Sequence, residues 1–446
     1  MLTPTYFCKS LLYQNISMAW PMALNALLLH SMTLVDLLLI APLGEGSVAA
    51  FGIASAIVVF VLGIQLAMSS GSQLLLSRAV GAADRSRVTT ELYSGWVINL
   101  CFTVTAISIL LLCLPWLLDT VSEEPSFTSK VEGYVYVSLP MLLFSSAAQV
   151  IIVYCNASGK TKVPLYGYIL ELPINIVVSY AFIYGAVGMP ELGVKGAALG
   201  TCVAVLTRFS FLCYYLRLEW HHKKLERLAL PSRGVISHHF HEVFPITCNF
   251  LVMLSAIFLL QMLFSQLPVA AYAAITLVMP WIKLGTMLAN TWVQAGVIIL
   301  SQTLGKEEFK KVPAIIYQSL YTTRFLSVLV VFIFFILSHM LPLIYSGLSD
   351  ETLAALSIIA PIYIILPLFR IHNMCCGNMI RAMGDAYLIV RINIVSQLLV
   401  SVPLCAVLIY FNFSLLFVFG VLLFEEIIKC RAFYTAMQQR MKAMAA

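Results

Sequence analysis

The sequence predicts an all-α polytopic membrane protein with twelve transmembrane helices in two pseudo-symmetric six-helix bundles. Of its 446 residues, 61% are hydrophobic and only 10% are charged, whereas soluble domains carry about 25% charged residues. The apolar residues fall into twelve stretches, each long enough for the ~20 residues that cross a bilayer. The two halves of the chain also resemble each other, which predicts two bundles of six helices.

Each apolar stretch predicts one membrane-spanning helix. Prolines inside the stretches, such as Pro140, Pro280 and Pro403, predict kinks because proline removes a helical hydrogen bond. The predicted spans are 14–40, 48–76, 93–118, 132–155, 163–187, 195–217, 240–266, 270–302, 314–345, 354–380, 387–410 and 412–436.

The repeat between the halves is visible at several places with nearly one offset. The segment Ser77-Arg-Ala-Val-Gly81 matches Ser301-Gln-Thr-Leu-Gly305, and Pro21 falls on Pro245, both at an offset of 224 residues. Two repeats of six spans have the same orientation, so an axis along the membrane normal should relate them, with a substrate cavity between the lobes.

The repeat predicts three parts of the chain: an N-terminal lobe over residues 1–217, a cytoplasmic linker over 218–239 and a C-terminal lobe over 240–446. Lysine and arginine are concentrated in alternate loops, and the positive-inside rule therefore places both termini in the cytoplasm. The first apolar segment is full length and lacks a small-residue cleavage site, so we expect no cleavable signal peptide.

The first span contains two residues that such a segment normally avoids. Pro21 lies near its start and Asp36 near its end. An unpaired aspartate in hydrocarbon costs at least ~2.5–3.5 kcal/mol on insertion scales. Intramembrane acids face a protein interior or a wet cavity and usually handle ions or protons. We therefore expect Asp36 to carry a proton and Pro21 to act as a hinge, although Pro21 could also simply begin the helix.

Several polar residues of other spans lie at a depth similar to that of Asp36. Asn175 and Ser179 are four residues apart and so share one helical face in span 5. Thr201 in span 6 and Tyr136 in span 4 fall at comparable depth. We expect these four residues to form a hydrogen-bonded cluster around Asp36; the alternative is that the neutral ones only pack helices together.

The equivalent positions of the second half are apolar. Asp36 falls on Leu260 and Asn175 on Val400. A requirement of the fold would appear in both halves, so this difference favours a functional role for the polar residues of the first half.

Other intramembrane charges are harder to interpret from sequence. Glu171 and Arg208 lie near predicted cytoplasmic ends and are expected to snorkel towards water. Lys283 and Arg370 are expected to line the cavity of the second lobe and to repel cations there.

The remaining features argue against other classes of protein. The eleven cysteines have no metal-ligand spacing, and the four histidines of the linker (His221, His222, His238 and His239) are expected to be solvated. We find no Ser/His pair, aspartyl dyad or metal triad at one depth, so no enzyme activity, cofactor or metal is expected. The net charge of +6 reflects loop bias and not nucleic-acid binding.

Two motifs point to a known family. The segments Asn175-Ile-Val-Val-Ser179-Tyr-Ala-Phe-Ile-Tyr-Gly185 and Leu192-Gly-Val-Lys-Gly-Ala-Ala-Leu-Gly-Thr201, together with Pro21 and Asp36, resemble those of multidrug and toxic compound extrusion (MATE) transporters. The resemblance covers essentially the whole chain. It implies a two-lobe antiporter with the MATE/MOP fold in the bacterial inner membrane that exports organic, often cationic compounds and works as a monomer.

Departures from the family pattern indicate which ion is coupled to transport. Sodium-coupled members of the NorM type carry acids in spans 7 and 10, and the stretches near Met253 and Arg370 have none. The resemblance therefore implies a DinF-like, proton-coupled member with Asp36 as the coupling carboxylate. Many such members have a second Asp or Asn where this chain has Ser179. The alternative function is a flippase of lipid-linked saccharides or a related MOP-superfamily exporter.

Overall fold

The computed structural model describes residues 8–121, 125–223, 231–345 and 348–445. This part of the chain is almost entirely helical. Its long helices are α1 Lys9–Ile40, α2 Glu45–Gly81, α3 Arg85–Val121, α4 Pro125–Ala157, α5 Lys162–Tyr184, α6 Val194–Lys223, α7 Arg233–Phe264, α8 Val269–Gly305, α9 Val312–Ile344, α10 Asp350–Ala382, α11 Ala386–Tyr410 and α12 Leu415–Ala445.

The predicted all-α membrane fold is confirmed. Eleven of these helices, α1 to α11, are long and apolar enough to cross a membrane. The remaining one, α12, carries Glu425, Glu426 and Lys429 in its middle, all of them buried. The charged groups have partners within the fold: Lys429 pairs with Glu425 one turn away, and Glu426 pairs with Arg370 of α10.

The helices form two compact units whose boundaries lie inside α1 and α7. We call Pro21–Phe244 the first unit. The second unit combines Met1–Trp20 with Pro245–Ala446. Both boundaries fall at prolines that the repeat pairs, Pro21 and Pro245. Because proline lacks the N–H of a helical hydrogen bond, it leaves the helix less tightly held at each division.

These units differ from the predicted domains at their ends. Helix α6 continues to Lys223 and α7 begins at Arg233, so both ends of the predicted 218–239 linker are helical. Its middle, residues 224–230, lies outside the described residues. The first part of α7 packs with the first unit, although its sequence belongs to the second repeat.

One predicted kink has a clear local form. Residues Ile394–Ser401 of α11 are wound as a π-helix just before Pro403. The wider turn keeps the backbone away from the proline ring, and the Ser401 hydroxyl donates to the carbonyl of Ser396 at 2.8 Å.

Two glycines allow α5 and α6 to approach closely in the first unit. A Cβ atom at Gly196 would lie 2.5 Å from the carbonyl carbon of Phe182, and one at Gly200 would lie 2.6 Å from the backbone nitrogen of Ser179. Small residues four apart on one helix face commonly mediate such contacts in membranes. The glycines of the Leu192–Thr201 motif therefore set the distance between these helices beside Asp36.

We predict that Gly200→Ala destabilises the protein, because the added methyl group must push the α5 backbone away, at a cost of about 1–3 kcal/mol. The matched control is Gly52→Ala in α2, where a Cβ atom would meet nothing within 4 Å. Thermal unfolding of the purified protein in detergent measures both changes. Equal melting temperatures for Gly200→Ala and wild type would contradict the proposed contact.

Candidate functional site

Asp36 is buried between three helices of the first unit. Its side chain is 3% exposed. The Thr201 hydroxyl of α6 donates to Oδ2 at 2.9 Å, and the Ser179 hydroxyl of α5 donates to Oδ1 at 3.3 Å. Each carboxylate oxygen thus has one hydroxyl donor, and each donor comes from a different helix.

Asn175 forms a second layer behind these hydroxyls. Its Nδ2 group donates to Thr201 Oγ1 at 3.1 Å and lies 3.4 Å from Ser179 Oγ. The Asn175 side chain is fully buried, and its Oδ1 atom has no hydrogen-bond partner among the described residues. The amide nitrogen therefore orients both hydroxyls towards Asp36, and the amide oxygen remains available as an acceptor.

Local sequence explains how these side chains meet. Asn175 and Ser179 are one turn apart in α5 and share a face. Gly200 brings α6 against the backbone at Ser179, so the next residue, Thr201, reaches the carboxylate. At the end of α5, the Tyr184 hydroxyl donates to the carbonyl of Leu39 at 2.6 Å, which ties α5 to α1 one turn beyond Asp36.

The site suits a carboxyl group that changes its protonation state. Among the residues described in the structure, no cation lies within ion-pair distance of Asp36. Hydroxyl groups donate to the ionised form and accept from the protonated form. Thr201 has a second acceptor within reach, the Ala197 carbonyl of its own helix at 3.1 Å. Its hydroxyl can turn there when Asp36 no longer requires a donor.

The structure brings Asn175, Ser179 and Thr201 together with Asp36 but does not bring in Tyr136. That side chain is 45% exposed on α4, and none of its described contacts reaches the carboxyl group. A neighbouring tyrosine, Tyr134, is 4% exposed and interacts electrostatically with Asp36. Residues two positions apart on a helix point to nearly opposite faces but lie at almost the same depth. Depth alone therefore could not distinguish Tyr134 from Tyr136.

The counterpart of Asp36 in the second half is apolar in the structure as well. Leu260 is 6% exposed and belongs to the hydrophobic core of its unit, which also includes Phe264 and Phe419. No acid replaces Asp36 there.

Two expectations about charged residues are wrong. Glu171 and Arg208 do not snorkel: they form a buried pair at 3.2 Å, 1% and 2% exposed, with the guanidinium 4.5 Å from the Tyr168 ring. Arg370 does not act as an unpaired cation, because its Nε donates to Glu426 at 3.0 Å. In both cases the partner lies on another helix, which sequence spacing does not reveal.

A third expectation also fails, because His239 is not solvated. It is completely buried, and its ring nitrogens contact Glu91 Oε2 at 2.6 Å and Ser72 Oγ at 2.9 Å. The surrounding histidines are basic-linker residues by composition, and nothing in the sequence distinguishes His239 from them. Among the described residues, no group of three or more His, Cys, Asp or Glu side chains is placed to hold a metal ion.

The family model named MatE matches residues 21–181 and 245–407, well over half of the chain. The chain belongs to the MatE family. The two matched segments begin at Pro21 and Pro245, the same residues at which α1 and α7 are divided between the compact units.

Sequence relatives of this MatE protein are named as transporters or multidrug resistance proteins. The probable multidrug resistance protein NorM of Mannheimia succiniciproducens is 22% identical and covers 87% of this chain and 84% of its own length. The uncharacterized transporter YisQ of Bacillus subtilis is 21% identical over 88% of this chain and 86% of its own length. A NorM of Streptococcus pneumoniae R6 is 28% identical, but the match spans only about a third of each chain, 36% and 35%.

Solved structures confirm the fold. A structure described as MATE in the bent conformation superposes with a TM-score of 0.85 at 17% identity, over 97% of this chain and 96% of the other. The Vibrio cholerae MATE transporter VcmN in the bent form gives 0.85 at 20% identity over 98% of both chains. The predictions of a MATE fold and of a transporter in place of an enzyme agree with these relatives and neighbours.

We predict that Thr201→Val lowers the stability of the protein at pH 8 by about 1–3 kcal/mol, the cost of leaving a buried charged group without a donor. The loss should become smaller at pH 5, because a protonated Asp36 needs one donor fewer. The matched control is Thr207→Val, since the acceptor of that hydroxyl among the described residues is the Val203 carbonyl of its own helix. Melting temperatures at the two pH values test this, and a pH-independent loss would contradict it.

Proposed function

We propose that this protein is a proton-coupled multidrug efflux antiporter that exports amphipathic, often cationic organic compounds by alternating access. Asp36 is the proton-coupling carboxylate, and the protein belongs to the DinF-like branch of its family. The observation that carries this proposal is a buried carboxyl group that accepts hydrogen bonds from two hydroxyl groups. It is supported by relatives that are named as probable multidrug resistance proteins. The setting is the bacterial plasma membrane, with both termini cytoplasmic and the protein monomeric.

The network around Asp36 supports coupling through changes of charge. When ionised, the carboxylate needs both hydroxyl donors, so α1, α5 and α6 are held together at Asp36. A proton taken up at Oδ2 removes the charge and makes that oxygen a donor. Thr201 can then turn to the Ala197 carbonyl or accept from Asp36 itself. Protonation thus exchanges one set of interhelical bonds for another.

An antiporter needs its two cargoes to compete, and Asp36 offers a physical reason. A bound organic cation near the ionised carboxylate stabilises the charge that protonation removes. Proton binding from the outside therefore favours release of the cation, and proton loss to the inside favours its binding again. This reciprocity is the ordinary thermodynamic linkage between two ligands.

Pro21 is the proposed hinge of α1. The helix is divided between the two compact units at this residue, and the missing N–H weakens the helix there. The charge state of Asp36, fifteen residues further along the same helix, would then change how α1 bends.

The choice of protons over sodium rests on the second half of the chain. Its described acids in membrane-depth positions of α12 are engaged: Glu426 by Arg370 and Asn373, and Glu425 by Lys429. An acid neutralised by a basic partner is a poor site for a free sodium ion.

We predict that ethidium or norfloxacin transport into inside-out vesicles is driven by an imposed pH gradient and not by an imposed sodium gradient. Each gradient is applied alone, with vesicles that lack the protein as the control. Transport that persists without a pH gradient and collapses on sodium removal would reject proton coupling.

We predict that Asp36→Asn abolishes gradient-driven export while leaving folding and membrane insertion intact, because an amide keeps the shape but cannot exchange a proton. The matched control is Glu45→Gln, an exposed carboxylate in the first turn of α2. Drug resistance of cells and transport in vesicles measure the effect. Wild-type resistance in cells carrying Asp36→Asn, at normal protein levels, would remove Asp36 from the mechanism.

A flippase of lipid-linked saccharides is the second candidate function. One observation favours it: Lys283 of α8 and Arg324 of α9 are exposed, and no salt bridge joins either to an acid within the described chain. Such cations would suit the phosphates of a lipid carrier. Saturable binding of a lipid-linked pyrophosphate, lost in Lys283→Gln, together with failure of drug export, would favour the flippase.

A further inference from the structure

The buried cluster of His239, Glu91 and Ser72 lies in the first unit, at the end far from Asp36. Asp36 is four residues from the end of α1, which a short connection joins to Glu45 of α2. Ser72 follows Glu45 by 27 residues, roughly 40 Å along the helix. The cluster is therefore near the opposite membrane surface and is a different site.

The three side chains form a continuous chain of hydrogen bonds. His239 Nδ1 lies 2.6 Å from Glu91 Oε2, and His239 Nε2 lies 2.9 Å from Ser72 Oγ. In the state with Glu91 ionised and the ring neutral, the carboxylate only accepts, so Nδ1 carries the ring proton and Nε2 can accept from the serine hydroxyl. That hydroxyl has the Met68 carbonyl as its other acceptor, at 3.4 Å. Every atom of this chain can pass a proton to the next.

Other charged groups face the cluster from α2, α3 and α7. Arg87 of α3, one turn before Glu91, places its Nε 3.8 Å from Glu91 Oε1, and its side chain is 47% exposed. Arg78 of α2 interacts electrostatically with Glu91, Arg87 and Glu242 of α7. Glu91 is thus separated from the aqueous surface by one side chain, that of Arg87. The two arginines and two glutamates named here have equal and opposite total charges.

Towards the membrane interior, the cluster continues as buried polar residues between α2 and α3. Asn99 Nδ2 donates to Ser69 Oγ at 2.6 Å, and Gln65 Nε2 donates to Thr103 Oγ1 at 3.1 Å. All four are at most 3% exposed. Nearby oxygens of Gln65, Asn99 and Ser94 are buried without a partner in the described chain. We call this row the polar seam; the side chains that define it are Gln65, Ser69, Ser72, Glu91, Ser94, Asn99, Thr103 and His239.

The repeat shows that the fold does not require the cluster. At the offset of 224 residues, His239 falls on Asn15, Ser72 on Gly296, and Glu91 on Ile315. These three counterparts line one small cleft of the other unit. The same packing position thus holds a titratable cluster in one half and none in the other, as is also true of Asp36 and Leu260.

We propose that Glu91, His239 and Ser72 form a second proton-binding site, through which the first unit exchanges protons with the water on the side opposite Asp36. This inference rests on the proposed proton-coupled function and extends it. A proton that reaches Ser72 Oγ along the polar seam displaces the hydroxyl proton onto His239 Nε2. The ring then releases its Nδ1 proton to Glu91, and Glu91 passes it to water beside Arg87. Ser72 and Glu91 are then restored, whereas the ring is left with its proton on Nε2 and regains its first tautomer by exchanging protons with water before the next transfer.

The test uses purified full-length protein in proteoliposomes, with ethidium as the probe. Two activities are compared: export driven by a pH gradient, and ethidium exchange at equal pH, which needs no net proton movement. His239→Gln and Ser72→Ala interrupt the chain at different atoms, and Ser72→Ala changes little volume. His241→Gln is the matched control, because His241 is exposed on the same helix.

We expect the ratio of proton-driven export to exchange to fall about tenfold or more in His239→Gln and Ser72→Ala, as when an acid–base group is lost. The control should keep the wild-type ratio. An unchanged ratio in both variants, or an equal fall of both activities, would overturn the second site and leave only a structural role. Failure of the proposed function looks different, since wild type itself would not respond to the pH gradient.

Discussion

Burial of one carboxylate dictates much of the first unit. A charged Asp36 among apolar side chains would be costly, so every donor near it must be well placed. The donors come from α5 and α6, and they reach Asp36 only because Gly200 lets α6 lie against the α5 backbone at Ser179. The same three helices therefore cannot shift without changing the bonds to Asp36. Geometry therefore couples the position of these helices to the charge of Asp36, and no cation of the described residues lies within ion-pair distance of it.

The two halves share a scaffold and divide the chemistry. Leu260 occupies the position of Asp36 within an apolar core. In the second half, the intramembrane charges of α10 and α12 are largely paired, with Arg370 bound to Glu426. Duplication supplies two similar bundles, and the residues that differ between them are those that would give each bundle a separate task.

Neutral polar groups dominate the interior of the first unit. Hydroxyl and amide groups can donate a hydrogen bond to an ionised carboxylate and can accept one from a protonated carboxyl group. A change of protonation therefore does not leave the carboxyl group without a hydrogen-bond partner. Charged groups are also buried there, and in the pair of Glu171 and Arg208 the two charges compensate each other locally. An interior built in this way allows one carboxyl group to change state while the surrounding helices remain folded.

The sequence by itself determined the number of helices and the repeat and predicted a proton-carrying role for Asp36, because hydropathy and spacing report the depth of each residue along its helix. Depth and the i, i+4 rule also predicted that Asn175, Ser179 and Thr201 would join Asp36. Only the tertiary structure decided which face of each helix meets a neighbour. That is why Tyr134 and not Tyr136 lies near the carboxylate, why Glu171 meets Arg208, and why His239 is buried against α2 and α3. These contacts depend on packing between helices that are distant in sequence, and local sequence patterns do not show which helices pack together.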